Sequence, residues 1–402
     1  MDDLRIVIVG HVDHGKSTLI GRLLYDTGSL PDGKMEEVRQ ASEELGRGFE
    51  YAYILDNLRE EREQGITIDT AQIFFRTERR NYIIIDAPGH VEFVKNMITG
   101  ASQAEAAVLI VDAGEGMQEQ TRRHAYILGL LGIKQVVVAV NKIDLVGYSR
   151  ERFDEVKSTL SAFLATVGVE PEHVIPVSAK SGDNVTSRSQ KTGWYTGPTV
   201  IEALDAFKPL PKPVEKPMRL PIQDVYVVDG RRIFAGRVES GVIRQGDEVT
   251  VLPDPRKTKV KSVESYLKTK IEAEAGESTG ITTTDKLFIE RGHVLCSGTL
   301  PKVSTSFNAK VFWMGKEPLK NGEKVTLKLA TQETGCRLEI HKKINSSTLE
   351  AIGGETLGNN EAAEALVTTD APIVYEDFHT TPELGRFVLQ KDNDIVAGGI
   401  IT

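Results

Sequence analysis

The chain has 402 residues, of which 40% are hydrophobic and 27% charged, with a formal net charge of -9. That length exceeds a single typical core, so two or three domains of a globular protein are expected, and a disordered or fibrous chain is excluded. The acidic balance excludes a general electrostatic grip on nucleic acid or on an anionic membrane, though not a partner that docks on one local basic patch.

Cys296 and Cys336 are the only cysteines, far apart and in no metal-ligand spacing, which fits two buried thiols in a reducing compartment. The start Met1-Asp2-Asp3 is acidic and the first apolar run, Leu4 to Val9, is six residues long, so no signal peptide is expected. No apolar stretch approaches the roughly 18 residues of a membrane-crossing helix. The expected location is cytoplasmic.

In chain order, the run Leu4 to Val9 predicts a buried strand, and Thr18 to Leu24 predicts a helix directly after a glycine-bounded loop. A polar segment follows from about Asp26 to Glu63. Strands are predicted at Phe74-Phe75 and Tyr82 to Ile85, a helix from Val91 to Gly100, and a strand over Ala106 to Val111. A helix around Gln118 to Leu131, a strand over Val136 to Val140, a helix near Phe153 to Val167, a strand over Val174 to Val177 and a helix from Thr199 to Ala206 complete the series. Continuous Val/Ile runs are strands buried on both faces, so the sheet should be mostly parallel and doubly wound, with ligands at the strand C-terminal ends.

Lys208 through Pro217 and Pro221 is too proline-rich for helix or central strand and reads as a semi-rigid linker. Beyond it, short alternating strands such as Arg237–Glu239, Asp247–Val251 and Lys257–Val263 lie between Gly and Asp turns. About 180 residues of this pattern are enough for two small all-β barrels. The expected fold is an α/β P-loop domain over 1–208, a linker over 209–221, and two barrel domains over 222–300 and 301–402. Lys257, Lys259 and Lys261 alternate on one strand and read as a solvated edge rather than a nucleic-acid patch.

Gly10, His11, Val12, Asp13, His14, Gly15, Lys16 and Ser17, followed by Thr18, have the spacing G-x-x-x-x-G-K-[ST] between a strand and a helix. In that setting backbone N–H groups and a helix N-terminus converge on phosphate oxygens. Lys16 would reach the terminal phosphates and the Ser17 hydroxyl would ligate Mg²⁺. Asp86-Ala87-Pro88-Gly89-His90 follows a strand, where the Asp86 carboxylate can hold Mg²⁺ through water and the Gly89 N–H can sense a γ-phosphate. Asn141-Lys142-Ile143-Asp144 ends another strand. The Asp144 carboxylate can accept from N1–H and the 2-amino group of guanine, donors that adenine lacks, which can give roughly 10⁴-fold discrimination. Ser178-Ala179-Lys180 would face the guanine carbonyl. Thr67, in Arg62 to Ile68, is placed to ligate Mg²⁺ only when a γ-phosphate is present, which makes an order–disorder switch.

These five stretches, in this order, resemble the GTPases of the translation-factor class, and the resemblance covers essentially the whole chain. Gly236 to Asp247 resembles the barrel that follows the G domain there. The resemblance implies GTP and GDP as ligands with Mg²⁺, His90 positioning the attacking water, and Val12 with Ile66 gating it. Catalytic roles then fall to His90, Lys16 and Thr67. Slow intrinsic hydrolysis, accelerated by an activating or guanine-exchange partner, is expected.

Leu19 to Thr27, Glu61 to Asp69, Gln120 to His124, Gly182 to Val185, Trp194 to Thr199, Leu384 to Leu389 and Val396 to Ile401 resemble the GTPase (large) subunit of bacterial sulfate adenylyltransferase. That resemblance implies coupling of GTP hydrolysis to formation of adenosine 5'-phosphosulfate by a separate small catalytic subunit. His11 and His14, however, give the elongation-factor-like G-H-V-D-H-G-K, where that subunit has G-S-V-D-D-G-K. The second expectation is accordingly an elongation-factor-like GTPase that delivers aminoacyl-tRNA to the ribosome.

Overall fold

The computed structural model describes residues 3–30, 33, 36, 51, 71–86, 104–210, 213–265, 268–392 and 394–402. They fall into two compact units, Met1–Leu210 with Ser346–Thr348, and Pro211–Asn345 with Leu349–Thr402. The expected helix from Val91 to Gly100 and the Arg62 to Ile68 stretch lie outside the described residues.

The first unit is built on a six-stranded sheet of β1 (Asp3–Gly10), β2 (Ala71–Arg76), β3 (Asn81–Asp86), β4 (Ala106–Asp112), β5 (Gln135–Asn141) and β6 (His173–Pro176). The strand order is β2-β3-β1-β4-β5-β6. Only the β2–β3 pair is antiparallel; every other pairing is parallel. The reason is in the side chains. All seven residues of β4 are buried, as are six of the seven in β5, so both faces need a helical cover. The chain leaves β3 on one side of β1 and re-enters at β4 on the other. That reversal opens a crevice at the carboxyl ends of β1 and β4, where ligands of such sheets bind.

Four helices of this unit matter to the crevice: α1 (Lys16–Asp26), α2 (Glu119–Leu130), α3 (Arg150–Thr166) and α4 (Val200–Ala206). Leu19, Ile20, Leu23 and Leu24 recur at helical spacing and bury one face of α1 in the same core as Ile6, Ile8, Val108 and Ile110. Burying one such side chain is worth about 1.5–3 kcal/mol, so the apolar stripe outweighs the missing N-terminal side-chain cap of α1. By contrast α3 starts where the Ser149 hydroxyl accepts from the Arg152 N–H, and α4 starts in a Thr199/Glu202 capping box. Lys208 is pinned to the sheet, because its N–H donates to the Gln135 side chain and Gln135 donates back to the Lys208 carbonyl, both at 2.8 Å.

The second unit holds two antiparallel barrels, each closed on itself by a sixth strand pairing, which removes exposed edges. In the first, Glu248–Leu252 pairs with Arg256–Ser265 to complete the circle. In the second, Lys324–Leu329 pairs with Gln332–Asn345. Each barrel has its own apolar core, one around Leu220, Phe234 and Val251, the other around Trp313, Leu327 and Leu338. Cys296 and Cys336 are fully buried and free. The expected α/β domain followed by two barrels is the fold observed.

Three details differ from the sequence expectation. Arg219 to Pro221, expected in the linker, open the barrel strand Arg219–Val228, where Leu220 pairs with Leu295 and Pro221 with Val294, because strand pairing and not proline content decides where the barrel begins. The strand holding Lys257, Lys259 and Lys261 is paired on both sides, with Glu248–Leu252 and with Ser278–Thr283, so the lysines line an exposed outer face rather than an edge. Closure of the barrel supplies the second partner, which alternation alone does not reveal. The segment expected over Arg237–Glu239 ends as a strand at Arg237, because the Val238 and Glu239 N–H groups turn to different carbonyls, those of Glu277 and Arg219.

Candidate functional site

The C-terminal ends of β1, β5 and β6 each run into one of the polar motifs, so a parallel sheet delivers all three to the same crevice. After β1, Asp13 and Gly15 take left-handed backbone conformations at φ 63° and 93° before α1 begins at Lys16. The loop is packed closely. A Cβ on Gly10 would lie 2.5 Å from the Ile110 carbonyl oxygen, and one on Gly15 would lie 2.3 Å from Asn141 Nδ2. Glycine is required at both positions for this path. Lys16, at the head of α1, is 8% exposed, and Ser17 and Thr18 are half-buried in the first turn.

Asn141 is the residue that ties the loops together. Its side chain is 2% exposed. Nδ2 donates to the His14 carbonyl at 2.8 Å, and Oδ1 accepts the Ala179 N–H at 2.9 Å. The phosphate loop, the Asn141–Asp144 turn and the Ser178–Lys180 turn therefore share one amide. Lys142 sits at φ 59°, a conformation that sends its side chain back over the sheet, where Nζ meets Asp112 Oδ2 at 2.8 Å. Asp112 also accepts the Gly114 and Glu115 N–H groups. Burial works against its charge, but the Lys142 ammonium and these N–H groups outweigh it and hold the carboxyl below its usual range. Asp144 is half-buried at the turn, with its carbonyl accepting the Gly147 N–H at 3.1 Å.

The histidines of the loop point inward. His14 is fully buried, with Nε2 at 3.3 Å from Glu115 Oε2 and Nδ1 at 3.5 Å from the Ile110 carbonyl. Its place in the motif predicts a nucleotide contact, but its ring is part of the floor beneath the loop. Only its carbonyl, held by Asn141, reaches the network. The His11 ring lies 5.1 Å from that of His14. Burial, and for His14 the neighbouring His11, lowers the pKa of both rings. Beneath them on α2, His124 is wholly buried and neither ring nitrogen has a hydrogen-bond partner among the described residues.

Other sequence candidates fall elsewhere. Thr67, Gly89 and His90, with Ile66, lie outside the described residues, and Asp86 is described only as the last backbone position of β3. Sequence reasoning passes over three residues that the fold brings in: Asp112, Arg22 and His124. An acid directly after the buried run of β4 is a usable signal for Asp112, since strand ends border the crevice. Nothing local marks Arg22, whose carbonyl partners are distant in sequence, or His124, which the fold buries near Lys16, His11 and His14.

Residues 2–210 match the family described as "Elongation factor Tu GTP binding domain", 231–296 match "Elongation factor Tu domain 2", and 306–402 match "GTP-eEF1A C-terminal domain-like". The chain is 41% identical to elongation factor 1-alpha of Thermoplasma acidophilum, an alignment covering 98% of this chain and 96% of that one. It is 40% identical to elongation factor 1-alpha of Archaeoglobus fulgidus, over 100% of this chain and 97% of that one. Elongation factor 1-alpha of Methanocaldococcus jannaschii is 40% identical over 99% and 96%.

These relatives overturn the sulfate adenylyltransferase expectation, and with it the small catalytic subunit as partner. Among the described residues, the stretches that suggested it belong to elements of the nucleotide domain and of the second barrel, which proteins of one fold share whatever they assemble with. His11 and His14, the departures from that pattern, were the better guide. The chain belongs to the translation-factor family of GTPases that includes elongation factor Tu and elongation factor 1-alpha.

Proposed function

We propose that this protein is an elongation factor 1-alpha-type switch that binds aminoacyl-tRNA in its GTP form and delivers it to the ribosome. The observation that carries the reading is end-to-end similarity: proteins named elongation factor 1-alpha align over both barrels as well as the nucleotide domain. In this reading Gly10 to Thr18 wrap the phosphates and Lys16 neutralises them. Ser17, in the first turn of α1, shares Mg²⁺ with phosphate oxygens, an ion that takes few protein ligands. Thr67 and Asp86 complete the metal site, Gly89 senses the γ-phosphate and His90 orients the attacking water. Asp144 reads the guanine N1–H and 2-amino group, while Lys142 and the Ser178–Lys180 turn frame the ring. Domain limits of 1–208, 222–300 and 301–402, joined by a 209–221 linker, belong to the same proposal, the last three linker residues already forming part of the barrel strand Arg219–Val228.

The test is a gel shift of aminoacyl-tRNA with the protein loaded with a non-hydrolysable GTP analogue or with GDP. A complex with the GTP analogue and charged tRNA, lost with GDP or with deacylated tRNA, is expected. Equal binding in all three arms, or none, overturns the reading and leaves a GTPase with another partner.

A further inference from the structure

Arg22 lies on α1, nearly two helical turns beyond Lys16, and its guanidinium does not turn to solvent. Nε donates to the Ala179 carbonyl at 3.1 Å and Nη2 donates to the Lys180 carbonyl. Nη1 faces Asp26 Oδ1 at 3.4 Å, and the Tyr51 ring lies 4.2 Å from the guanidinium carbon. The other oxygen of Asp26 accepts the Thr186 hydroxyl at 2.7 Å. Gly182, at φ 83°, brings the loop so close that a Cβ there would lie 3.2 Å from Arg22 Cζ. The turn from Ser178 to Thr186 is thus folded around one side chain of the phosphate helix.

The bonds have a direction that matters. In a trans peptide the carbonyl and the following N–H point opposite ways. Holding the Ala179 carbonyl against Arg22 therefore turns the Lys180 N–H away from α1. The neighbouring Ala179 N–H is already taken by Asn141, and the Ser181 N–H by the Ser178 hydroxyl at 3.2 Å. The Lys180 N–H has no protein acceptor among the described residues.

We propose that Arg22 is a positioning residue for guanine recognition: by clamping the Ala179 and Lys180 carbonyls it presents the Lys180 N–H to the guanine O6 and fixes the base loop at one spacing from the phosphate helix. The proposal rests on the assignment of Ser178–Lys180 to the guanine carbonyl. A forked guanidinium suits the task because it reaches two carbonyls at once with a fixed angle between its donors, which a single ammonium cannot do.

The experiment compares GDP with 6-thio-GDP, which keeps N1–H and the 2-amino group but offers sulfur, a weaker acceptor, at position 6. Affinities are measured by competition for wild type, Arg22→Met and Arg22→Lys, with circular dichroism and a thermal melt on each. Wild type should prefer GDP several-fold. Arg22→Met should bind GDP about 10-fold more weakly, the scale of a lost charged hydrogen bond, and its GDP to 6-thio-GDP preference should fall toward one. Preference for GDP over xanthosine diphosphate, set by Asp144 at the other edge of the ring, should persist. Arg22→Lys, able to hold one carbonyl, should lie between. An unchanged 6-thio ratio in Arg22→Met, with both ligands weakened equally, overturns the proposal and makes Arg22 a structural tie only. If Arg22→Met does not fold, a wild-type ratio in Arg22→Lys overturns it equally. Failure of the wild-type protein to bind guanine nucleotides at all would instead overturn the assignment of the site.

Discussion

The side-chain amide of Asn141 donates to the carbonyl of His14 at 2.8 Å, joining two loops 127 positions apart. Through its other end, at Ala179, the same amide joins a third. Asn141→Ala deletes both bonds and leaves a buried carbonyl and a buried N–H unpaired. A loss of about 2–6 kcal/mol in stability is expected, at 1–3 kcal/mol for each of the two stranded groups, measured by urea denaturation. GDP release should accelerate in parallel, because two loops of the site lose their common anchor.

Lys16 is the one cation of the phosphate loop, and it is nearly buried at the head of α1. Lys16→Ala should weaken GTP and GDP by about 100-fold, the scale of a strong charged hydrogen bond. Retained micromolar binding in a fluorescence titration would contradict the phosphate-loop assignment.

Asp144→Asn should exchange guanine for xanthine. An amide NH₂ donates to the xanthine 2-carbonyl, and with one acceptor oxygen in place of two the side chain can no longer accept from both the N1–H and the 2-amino group of guanine. GTP affinity should drop by roughly 10⁴-fold, the penalty range for unpaired groups in a site built on hydrogen bonds, and xanthosine triphosphate should recover it. Isothermal titration with both nucleotides measures the switch.

Stability should fall as the pH is lowered through the histidine range, with His124 as a principal cause. Its burial, followed by the charges of Lys16 and Arg123 and then by His11 and His14, lowers its pKa from 6.5 to about 3. Below pH 6.5 the unfolded chain takes up a proton that the folded chain refuses until pH is near 3, so folding loses up to about 1.4 kcal/mol per pH unit across that window. The acids near this cluster bear on the other two rings rather than on His124: Glu115, Asp13 and Glu119 on His11, and Glu115 and Asp112 on His14. His124→Leu removes both the proton linkage and two unpartnered ring nitrogens. It should flatten the slope of stability against pH between 6.5 and 5, and should raise the melting temperature at pH 7.

Arg219 is 2% exposed and every one of its nitrogens is engaged, with Glu376 at 2.7 Å and with the carbonyls of Met218, Ser297 and Thr299. Arg219→Ala strands the Glu376 carboxylate and those carbonyls, and should destabilise by about 3–5 kcal/mol. The double variant Arg219→Met with Glu376→Leu should recover much of that, since an apolar pair leaves no buried charge behind. Chemical denaturation of the single and double variants separates the two effects.

Much of this protein was legible in its sequence, for physical reasons that act locally. Continuous Val and Ile runs dictated a buried parallel sheet, and Gly10, Gly15, Lys16 and Ser17 at fixed spacing dictated a phosphate loop, because backbone conformation and strand burial depend on near neighbours. The proposal that Asp144 reads guanine comes from the same source, since a carboxylate at a strand end has its chemistry fixed by residue type. Tertiary structure alone decided what the loops do to one another. That Asn141 holds His14 and Ala179, that Lys142 meets Asp112, that Arg22 turns a peptide from 157 positions away, and that the lysine strand is interior rather than an edge all depend on packing across the sheet or around a closed barrel. Such contacts leave no spacing in the chain, since any arginine on a helix face could reach any carbonyl that the fold brings near.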